Sequence, residues 1–313
     1  MHNEGASGSH MTPGASRSVL LSLLGGALLG TAGTAAALGP DTGTPALLGF
    51  LRLAFGAAAL VLVLPWFGGR RTHLPTVLRR PGVWVMGICT GIYQPLFFGA
   101  TARAGVAVST LVAVGCIPAF AGFIGWVVFR HRPSRVWFAA TAVAVFGLVL
   151  RSWGRLDVDD ATGLLMALGS GLCVGAYVNA AKVELHRGGH PLEVPASAYL
   201  IASVLLFPFV CTDLGDWSWT WGTLGLALFL GVVTMALANA LQISGLRGLR
   251  PAPASTLMLA DPLTATVLGI LVLHEGIAPI GILGLLLVMA GLVLQSVAQA
   301  GAEEEDPAPA TPA

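Results

Sequence analysis

The stretch Ala252–Leu273 reads APASTLMLADPLTATVLGILVL and carries a carboxylate followed by a proline, Asp261-Pro262, in the middle of an otherwise apolar run. An apolar run of about 20 residues is long enough to cross a lipid bilayer as a helix. An ionisable side chain at that depth is costly and marks a candidate functional site. Helices interrupted near the middle of the membrane are also how many transporters build their binding sites. This segment therefore points to a membrane protein with a polar site at bilayer depth.

The composition excludes a water-soluble protein. The chain has 313 residues, of which 55% are hydrophobic and 10% are charged, and its mean hydropathy is +0.81. A net charge of +1 gives no general attraction to nucleic acid. We predict an all-α integral membrane protein with ten transmembrane helices. The predicted spans are 18–38, 45–65, 82–102, 106–129, 135–151, 161–182, 195–212, 221–245, 252–273 and 278–298.

The basic residues indicate the direction of these spans. Lys and Arg concentrate in the cytoplasmic segments of membrane proteins. If the N-terminus lies in the cytoplasm, twelve basic residues fall inside and only Arg103, Arg151 and Arg155 fall outside, while Arg52 lies within a span. We therefore expect both termini to be cytoplasmic. The twelve are Arg17, Arg70, Arg71, Arg79, Arg80, Arg130, Arg132, Arg135, Lys182, Arg187, Arg247 and Arg250.

The two halves of the chain resemble each other at a nearly constant separation of 144 to 146 residues. Five spans per half is an odd number, so the two halves must enter the membrane in opposite directions. Inverted repeats with a site between them are a transporter architecture. We predict repeats at 18–151 and 161–298, with disordered tails at 1–17 and 299–313. The matching positions are Ser109-Thr110-Leu111 with Ser255-Thr256-Leu257, Pro118 with Pro262, Gly147 with Gly291, and Gly26 and Gly30 with Gly171 and Gly175.

At this point the chain resembles a known family, the EamA-type ten-helix members of the drug/metabolite transporter superfamily. The chain departs from the family pattern at two acidic positions. In the turn of the first repeat, His131 stands at the position that corresponds to Glu275 in the second repeat. Before Pro262, this chain has Asp261 where Glu is more common in the family. The resemblance implies a secondary transporter that works by alternating access and exports an amino acid or related metabolite. The residues that carry this resemblance are Leu51-Arg52-Leu53 and the two repeat endings, Pro118…Arg130-His131…Gly147 and Asp261-Pro262…His274-Glu275…Gly284…Gly291.

Polar side chains inside apolar spans are the candidates for substrate binding. Amides that faced lipid would lack hydrogen-bond partners, so we expect these side chains to face the interior of the bundle. The alternative is structural hydrogen bonding between helices, of about 0.6 kcal/mol each. The resemblance implies a cavity between spans 1, 3 and 4 and spans 6, 8 and 9. The candidates are Tyr93 and Gln94 beside Pro95 in the third span, Tyr177 and Asn179 in the sixth, and Asn239 and Gln242 in the eighth.

Charged and proline residues are the candidates for coupling and gating. Asp261 is interpreted either as an N-cap that starts a half-helix at Pro262 or as a protonatable or amine-binding group. Pro118 predicts a matching helix break in the first half, without the charge. Arg52 either extends toward the membrane surface or bonds backbone carbonyls, or it contacts an anionic group of the substrate. Glu275 is expected in the turn after the ninth span.

Other protein classes lack support in the sequence. An intramembrane enzyme would need a nucleophile with its base or a metal set, and the chain has no HExxH, GxSxG or GxxxxGK[ST] motif. We expect no cofactor, no metal and no nucleic-acid partner; the partners are a small-molecule substrate and the lipid bilayer. Efflux of cationic drugs, an intramembrane enzyme, a proton as coupling ion and a homodimer stay open as alternatives.

Overall fold

The computed structural model describes residues 13–40, 44–67, 74–129, 158–190, 192–211, 220–246 and 260–274, with scattered positions between 139 and 147 and between 280 and 294. These residues form helices and the turns between them. The helices are α1 Pro13–Leu38, α2 Pro45–Phe67, the short α3 Leu74–Val77, α4 Pro81–Ala104, α5 Val106–Phe129, α6 Val158–His186, α7 Glu193–Val210, α8, and α9 Ala260–Leu271. Helix α8 is Trp221–Leu228, continued by the π-helix Phe229–Leu237 and by Ala238–Leu246.

The helices confirm the predicted all-α membrane fold. Seven of them within the described residues are long and apolar enough to cross a membrane, and they coincide with predicted spans one to four and six to eight. The shorter apolar helices Ala260–Leu271 and Ile282–Gly291 fall in the ninth and tenth spans. The fifth span, the first part of the ninth and the two predicted tails lie largely or wholly outside the described residues.

The outer surface of the bundle is apolar. Leu165, Val204 and Phe209 are each more than two-thirds exposed, although they belong to long apolar helices. A soluble protein rarely exposes large apolar side chains in continuous bands, whereas a lipid-facing surface does. Inside, Leu53, Ala57, Leu60 and Leu64 recur every three or four residues along one face of α2, and this face is buried in the largest apolar cluster.

The two repeats interlock through contacts that come in matching pairs. Helix α1 packs against α8 and α9, and its repeat mate α6 packs against α4 and α5. Helix α2 packs against its own mate, α7, and the contact of α2 with α8 has its counterpart in α7 with α4. Each repeat therefore buries its first helix in the other repeat, so the core of the protein is the boundary between them.

Helices α2 and α7 show that the repeats are inverted. Phe50, near the start of α2, stacks at a tilt on Phe207, near the end of α7, with ring centroids 5.9 Å apart. Leu47 and Leu51 share a buried cluster with Val210, the last residue of α7. Because the start of one helix meets the end of its mate, the mates run in opposite directions, as the odd number of spans requires.

The glycine pattern seen in the sequence marks the crossings of α1 and α6. A Cβ on Gly26 would meet Ala260 Cβ at 2.8 Å, and one on Gly30 would meet Thr264 Cβ at 2.8 Å. In the other repeat, a Cβ on Gly171 would meet Ala113 O at 2.6 Å. One on Gly175 would meet Phe120 Cβ at 2.9 Å. Small residues let two helix backbones approach closely, and here they do so at equivalent points of both repeats.

The π-helical segment of α8 shifts the repeat register by one residue. The Thr90 hydroxyl donates to Met86 O, and the Thr234 hydroxyl makes the same bond to Leu230 O, with 144 residues between the two threonines. A π-helix accommodates one residue more than an α-helix and is frequent at functional sites. Beyond the segment the separation is therefore 145, which makes Asn239 the counterpart of Gln94.

Candidate functional site

A cavity of about 190 Å³ lies between the two repeats. Its walls come from α1, α2, α4 and α5 of the first half and from α6, α7, α8 and α9 of the second. The resemblance implied only the first, third, fourth, sixth, eighth and ninth spans; α2 contributes Arg52, which was a separate candidate, and the contribution of α7 was not expected. Six of the predicted residues line it, namely Arg52, Tyr93, Gln94, Tyr177, Asn239 and Asp261.

The lining residues are related by the internal repeat. Leu29 and Val174 are 145 residues apart and both face the cavity, as do Gln94 and Asn239. Ile117 and Asp261 are 144 residues apart and also both face it. The cavity therefore lies on the axis that relates the repeats, which is where alternating access requires the substrate to sit.

Arg52 is held inside the bundle and does not reach the membrane surface. Its residue is 5% exposed, and its guanidinium carbon lies 5.8 Å from the centre of the Phe98 ring. The guanidinium also interacts with the Tyr93 hydroxyl. Among the buried atoms described, Nε of Arg52 has no hydrogen-bond partner. The interpretation of Arg52 as a surface-seeking side chain is therefore wrong, and the guanidinium keeps donors available toward the cavity.

Asp261 is the only acidic residue among the described residues that line the cavity. It lies in the first turn of α9, and Pro262 beside it is buried. Its backbone packs against Gly26 and Gly30 of α1. Arg52 acts on it electrostatically from the opposite repeat. The described lining residues therefore include one guanidinium group and one carboxyl group, each supplied by a different repeat.

Gln94 offers an unsatisfied acceptor in the same cavity. Its residue is 1% exposed, and its Oε1 has no hydrogen-bond partner among the described residues. Gly49 of α2 leaves the space in which the Gln94 side chain sits, because a Cβ there would overlap the Gln94 Cβ. Asn239, the counterpart of Gln94, uses its amide donor on Met235 O at 2.7 Å. Of these two amides, Gln94 thus has the freer polar group.

Two of the predicted residues that the structure describes, Asn179 and Gln242, are not among the residues that line the cavity. Asn179 donates to Ala121 O at 3.0 Å and to Gly175 O at 2.9 Å, so it joins α6 to α5. Gln242 packs by its Cβ and backbone against Gly25 of α1. Glu275 and the side chain of Pro118 lie outside the described residues.

The helix break predicted at Pro118 is wrong. Helix α5 continues through this position from Val106 to Phe129. A proline inside a helix removes one hydrogen bond and often bends the helix without ending it. Whether α9 begins after a break at Asp261 depends on 251–259, which lie outside the described residues; the described part of the helix starts at Ala260.

Several lining residues were not singled out from the sequence. Tyr199 of α7 is 5% exposed, and its hydroxyl interacts with that of Tyr177 across from α6. Cys89 and Cys173 also line the cavity. A tyrosine within an apolar span is a usable signal for Tyr199, whereas an apolar or thiol side chain gives none.

Comparison with known proteins agrees with this architecture. Residues 16–153 and 161–297 each match the family described as the EamA-like transporter family. The chain is 36% identical over 270 residues to a Bacillus subtilis protein named "Uncharacterized transporter YwfM", a match that covers 86% of this chain and 90% of the relative. It is 30% identical over 275 residues to the threonine/homoserine exporter RhtA of Escherichia coli K12, covering 85% and 86%.

A solved crystal structure has the same fold. It superposes with a TM-score of 0.61 at 19% sequence identity and covers 90% of this chain and 98% of its own chain. The two family matches together span most of the sequence. With the bacterial relatives and the apolar helices, they make this protein a multi-pass transporter of a bacterial cell membrane that carries a small molecule. The chain belongs to the EamA-like transporter family.

Proposed function

We propose that the protein exports a small zwitterionic metabolite, an amino acid or a close relative of one, by alternating access. The observation that carries the proposal is the pair of opposite charges, Arg52 and Asp261, in one small cavity on the repeat axis. A guanidinium binds a carboxylate through matched donors, and a carboxylate is the natural partner of an ammonium group. An α-amino acid carries both groups on neighbouring atoms.

The size of the cavity favours a small substrate. Pockets that take drug-sized molecules measure roughly 300–1,000 Å³, whereas this cavity measures about 190 Å³. An engineered cavity of about 150 Å³ in another protein holds benzene, which has six heavy atoms. The space therefore suits a solute of about ten heavy atoms or fewer, which is the range of the smaller amino acids.

Charge also argues against a cationic drug as the substrate. A cation in this cavity would have to sit near the buried Arg52 guanidinium, and juxtaposed like charges are a strong element of discrimination. A zwitterion meets both charges favourably. The printed name of the Escherichia coli relative, a threonine/homoserine exporter, supports a substrate of this class and the outward direction of transport.

Coupling to a proton is part of the proposal, and Asp261 is the group that would carry it. An acidic side chain inside a membrane protein is a common proton relay. A proton and the substrate ammonium group would then use the same carboxylate in alternation. In this scheme Asp261→Asn abolishes proton-driven transport, whereas exchange of substrate across the membrane continues at substrate concentrations above the weakened Kd. Proton-driven transport that survives in this variant would remove Asp261 from the coupling step.

A thermal-shift measurement on the purified protein tests the substrate class. A ligand that binds the folded state alone stabilises it by about 2.7 kcal/mol at a hundred times its Kd. We expect threonine and homoserine to stabilise the protein. The analogue without the carboxylate and the analogue without the amine should each do so much less. A cationic dye that binds tighter than every amino acid would overturn the proposal in favour of drug efflux.

Matched variants test which group of the substrate each of the two charged side chains binds. We expect Arg52→Gln to remove the preference for the amino acid over its carboxylate-free analogue. Asp261→Asn should remove the preference over the amine-free analogue. If both variants keep both preferences, the substrate site lies elsewhere, even if an amino acid binds.

The proposed orientation has both termini in the cytoplasm. It rests on the twelve-to-three distribution of basic residues. Reporter domains fused after Arg155 should read outside the cell, and those fused after Arg187 should read inside. The reverse pattern would discard this orientation.

A further inference from the structure

One buried ion cluster lies outside the cavity and has no part in the function described so far. Glu184, in the last turn of α6, has a fully buried side chain. Its Oε2 lies 3.4 Å from Nη1 of Arg80, and its Oε1 lies 3.5 Å from Nη1 of Arg187. We call these three residues the inner ion cluster, because all lie at the end of the bundle assigned to the cytoplasm.

The local structure is built to hold this carboxylate. Gly82, in the first turn of α4, leaves the space for it, since a Cβ at this position would overlap Glu184 Oε1. Helix α6 ends at His186, and the chain turns at Gly188, whose φ of +79° glycine adopts readily. Arg187 continues the helical course, with its N–H donating to Val183 O, and so lies one turn beyond Glu184. A buried carboxylate is costly unless it is paired, so the pairing with the two arginines is required wherever Glu184 stays buried.

The cluster joins the two repeats. Arg80 precedes α4 of the first repeat and Glu184 belongs to the second, whereas Arg187 belongs to the same repeat as Glu184. Only the Arg80–Glu184 pair therefore crosses the boundary that must open during alternating access. Between this pair and the cavity lies an apolar cluster that includes Val83, Met86 and Ile201, with Tyr177 of the cavity wall packed against it. In the proposed orientation, the ion pair and the apolar cluster both lie on the cytoplasmic side of the cavity.

The opposite end of the bundle has no such pair at the equivalent place. By the repeat separation, Glu184 corresponds to Gly39, the residue after α1, and Gly82 corresponds to Leu226 of α8. These two residues do meet, because a Cβ on Gly39 would overlap the Leu226 side chain. Of these two repeat-related crossings, the one at the cytoplasmic end therefore has a charge pair, and the one at the opposite end has an apolar contact.

From this asymmetry we propose that the Arg80–Glu184 pair is the gate on the cytoplasmic side of the transport cycle. It holds the repeats together in the state seen here and separates when the cavity opens to the cytoplasm. The gate rests on the proposed transport function and orientation. Removing the pair favours the inward-open state, because a two-state equilibrium follows any interaction made in one state alone.

Thiol labelling of the cavity tests the gate without any substrate. Cys89 faces the cavity and serves as the reporter in a background of Cys116→Ala, Cys173→Ala and Cys211→Ser. A membrane-impermeant thiol reagent is applied to inside-out vesicles and, separately, to intact cells. We expect Arg80→Gln to raise the labelling rate from the cytoplasmic side at least about fivefold, the lower end of typical coupling between sites. Labelling from outside should not rise.

Two variants act as matched controls. Arg187→Gln removes a partner of Glu184 that does not cross the repeat boundary, so it should raise labelling far less than Arg80→Gln. Arg80→Lys keeps the charge and should restore most of the protection. Glu184→Gln keeps the shape of the side chain and should behave like Arg80→Gln. Arg80 is partly exposed, so its variants decide the matter if Glu184→Gln does not accumulate in the membrane.

The outcomes separate the gate from the proposed substrate. Unchanged labelling in Arg80→Gln, or equal increases in Arg80→Gln and Arg187→Gln, would overturn the gate. An increase seen only from the outside would overturn it as a cytoplasmic gate. The expected increase in a protein that neither binds nor moves amino acids would support the gate and reject the proposed substrate.

Discussion

The crossing of α1 with α9 and the crossing of α6 with α5 share one backbone design and differ in chemistry. Both are close approaches through a pair of glycines four residues apart. At the equivalent position facing the cavity, however, α9 has Asp261 and α5 has Ile117. Duplication therefore accounts for the shape of the two crossings, whereas the carboxyl group is present in the second repeat alone.

The two ends of the bundle differ in the same way. The crossing of α4 with α6 is closed by Arg80 and Glu184, and the related crossing of α8 with α1 is closed by Gly39 against Leu226. A perfectly symmetric protein would have equal energies for its inward-open and outward-open states. Different contacts at the two ends make these energies unequal, and this gives a transporter a preferred resting state.

The largest effect is expected where the charge breaks the symmetry. Asp261→Asn should weaken substrate binding at least about thirtyfold, because losing one partner of a buried charge pair costs upward of 2 kcal/mol. The double variant Asp261→Ile/Ile117→Asp moves the carboxylate to its mate and should recover part of the affinity. Isothermal titration in detergent measures both. Wild-type affinity in Asp261→Asn would show that the charge has no role in binding.

A smaller effect is expected at the glycine crossings. A Cβ on Gly30 would lie 2.5 Å from Asp261 O, so Gly30→Ala should lower the free energy of unfolding by about 1–3 kcal/mol. Gly175→Ala should cost a similar amount. Gly91 is the control, because a Cβ there would meet nothing closer than 3.8 Å. Thermal unfolding in detergent measures these changes. Equal stability of Gly30→Ala and Gly91→Ala would contradict close packing at the crossing of α1 with α9.

Variants of the two amides Gln94 and Asn179 should affect different quantities, substrate affinity for Gln94 and stability for Asn179. Gln94→Ala should weaken substrate binding about tenfold, the effect of one hydrogen bond to a charged group. Asn179→Ala should leave the Kd unchanged and lower stability by about 0.6 kcal/mol, because its amide joins α6 to α5. Measuring both quantities for both variants tests the assignment, and the reverse result would return Asn179 to the site.

The smallest effect is expected at the paired threonines. Thr90→Val and Thr234→Val each remove one hydroxyl bond to a backbone carbonyl, so each should lower stability by about 0.6 kcal/mol. Only Thr90 faces the cavity, so only Thr90→Val should also change substrate affinity. A change in affinity in Thr234→Val alone would indicate a different position for the substrate.

Most of the candidate site was visible from the sequence because a polar side chain inside an apolar span must face the protein interior. Arg52, Gln94 and Asp261 were found on this ground alone. Asn179 follows the same rule but forms a hydrogen bond with a neighbouring helix. The rule predicts only that such a side chain faces the protein interior, and not that it lines the cavity. Tyr199 and the two cavity thiols were missed, because apolar composition hides which face of a helix meets a void.

The sequence by itself determined the class of fold, the positions of the seven long spans that the structure describes, the duplication and its inversion, because bilayer thickness, charge and the odd number of spans constrain them strongly. Only the tertiary structure decided which residues of the two repeats occupy equivalent positions and which distant residues come into contact. It placed Asn239 opposite Gln94 through one extra residue in a π-helix. It also brought Arg80 to Glu184, 104 residues away. Such contacts depend on helix rotation and crossing distance, which local sequence pattern does not encode.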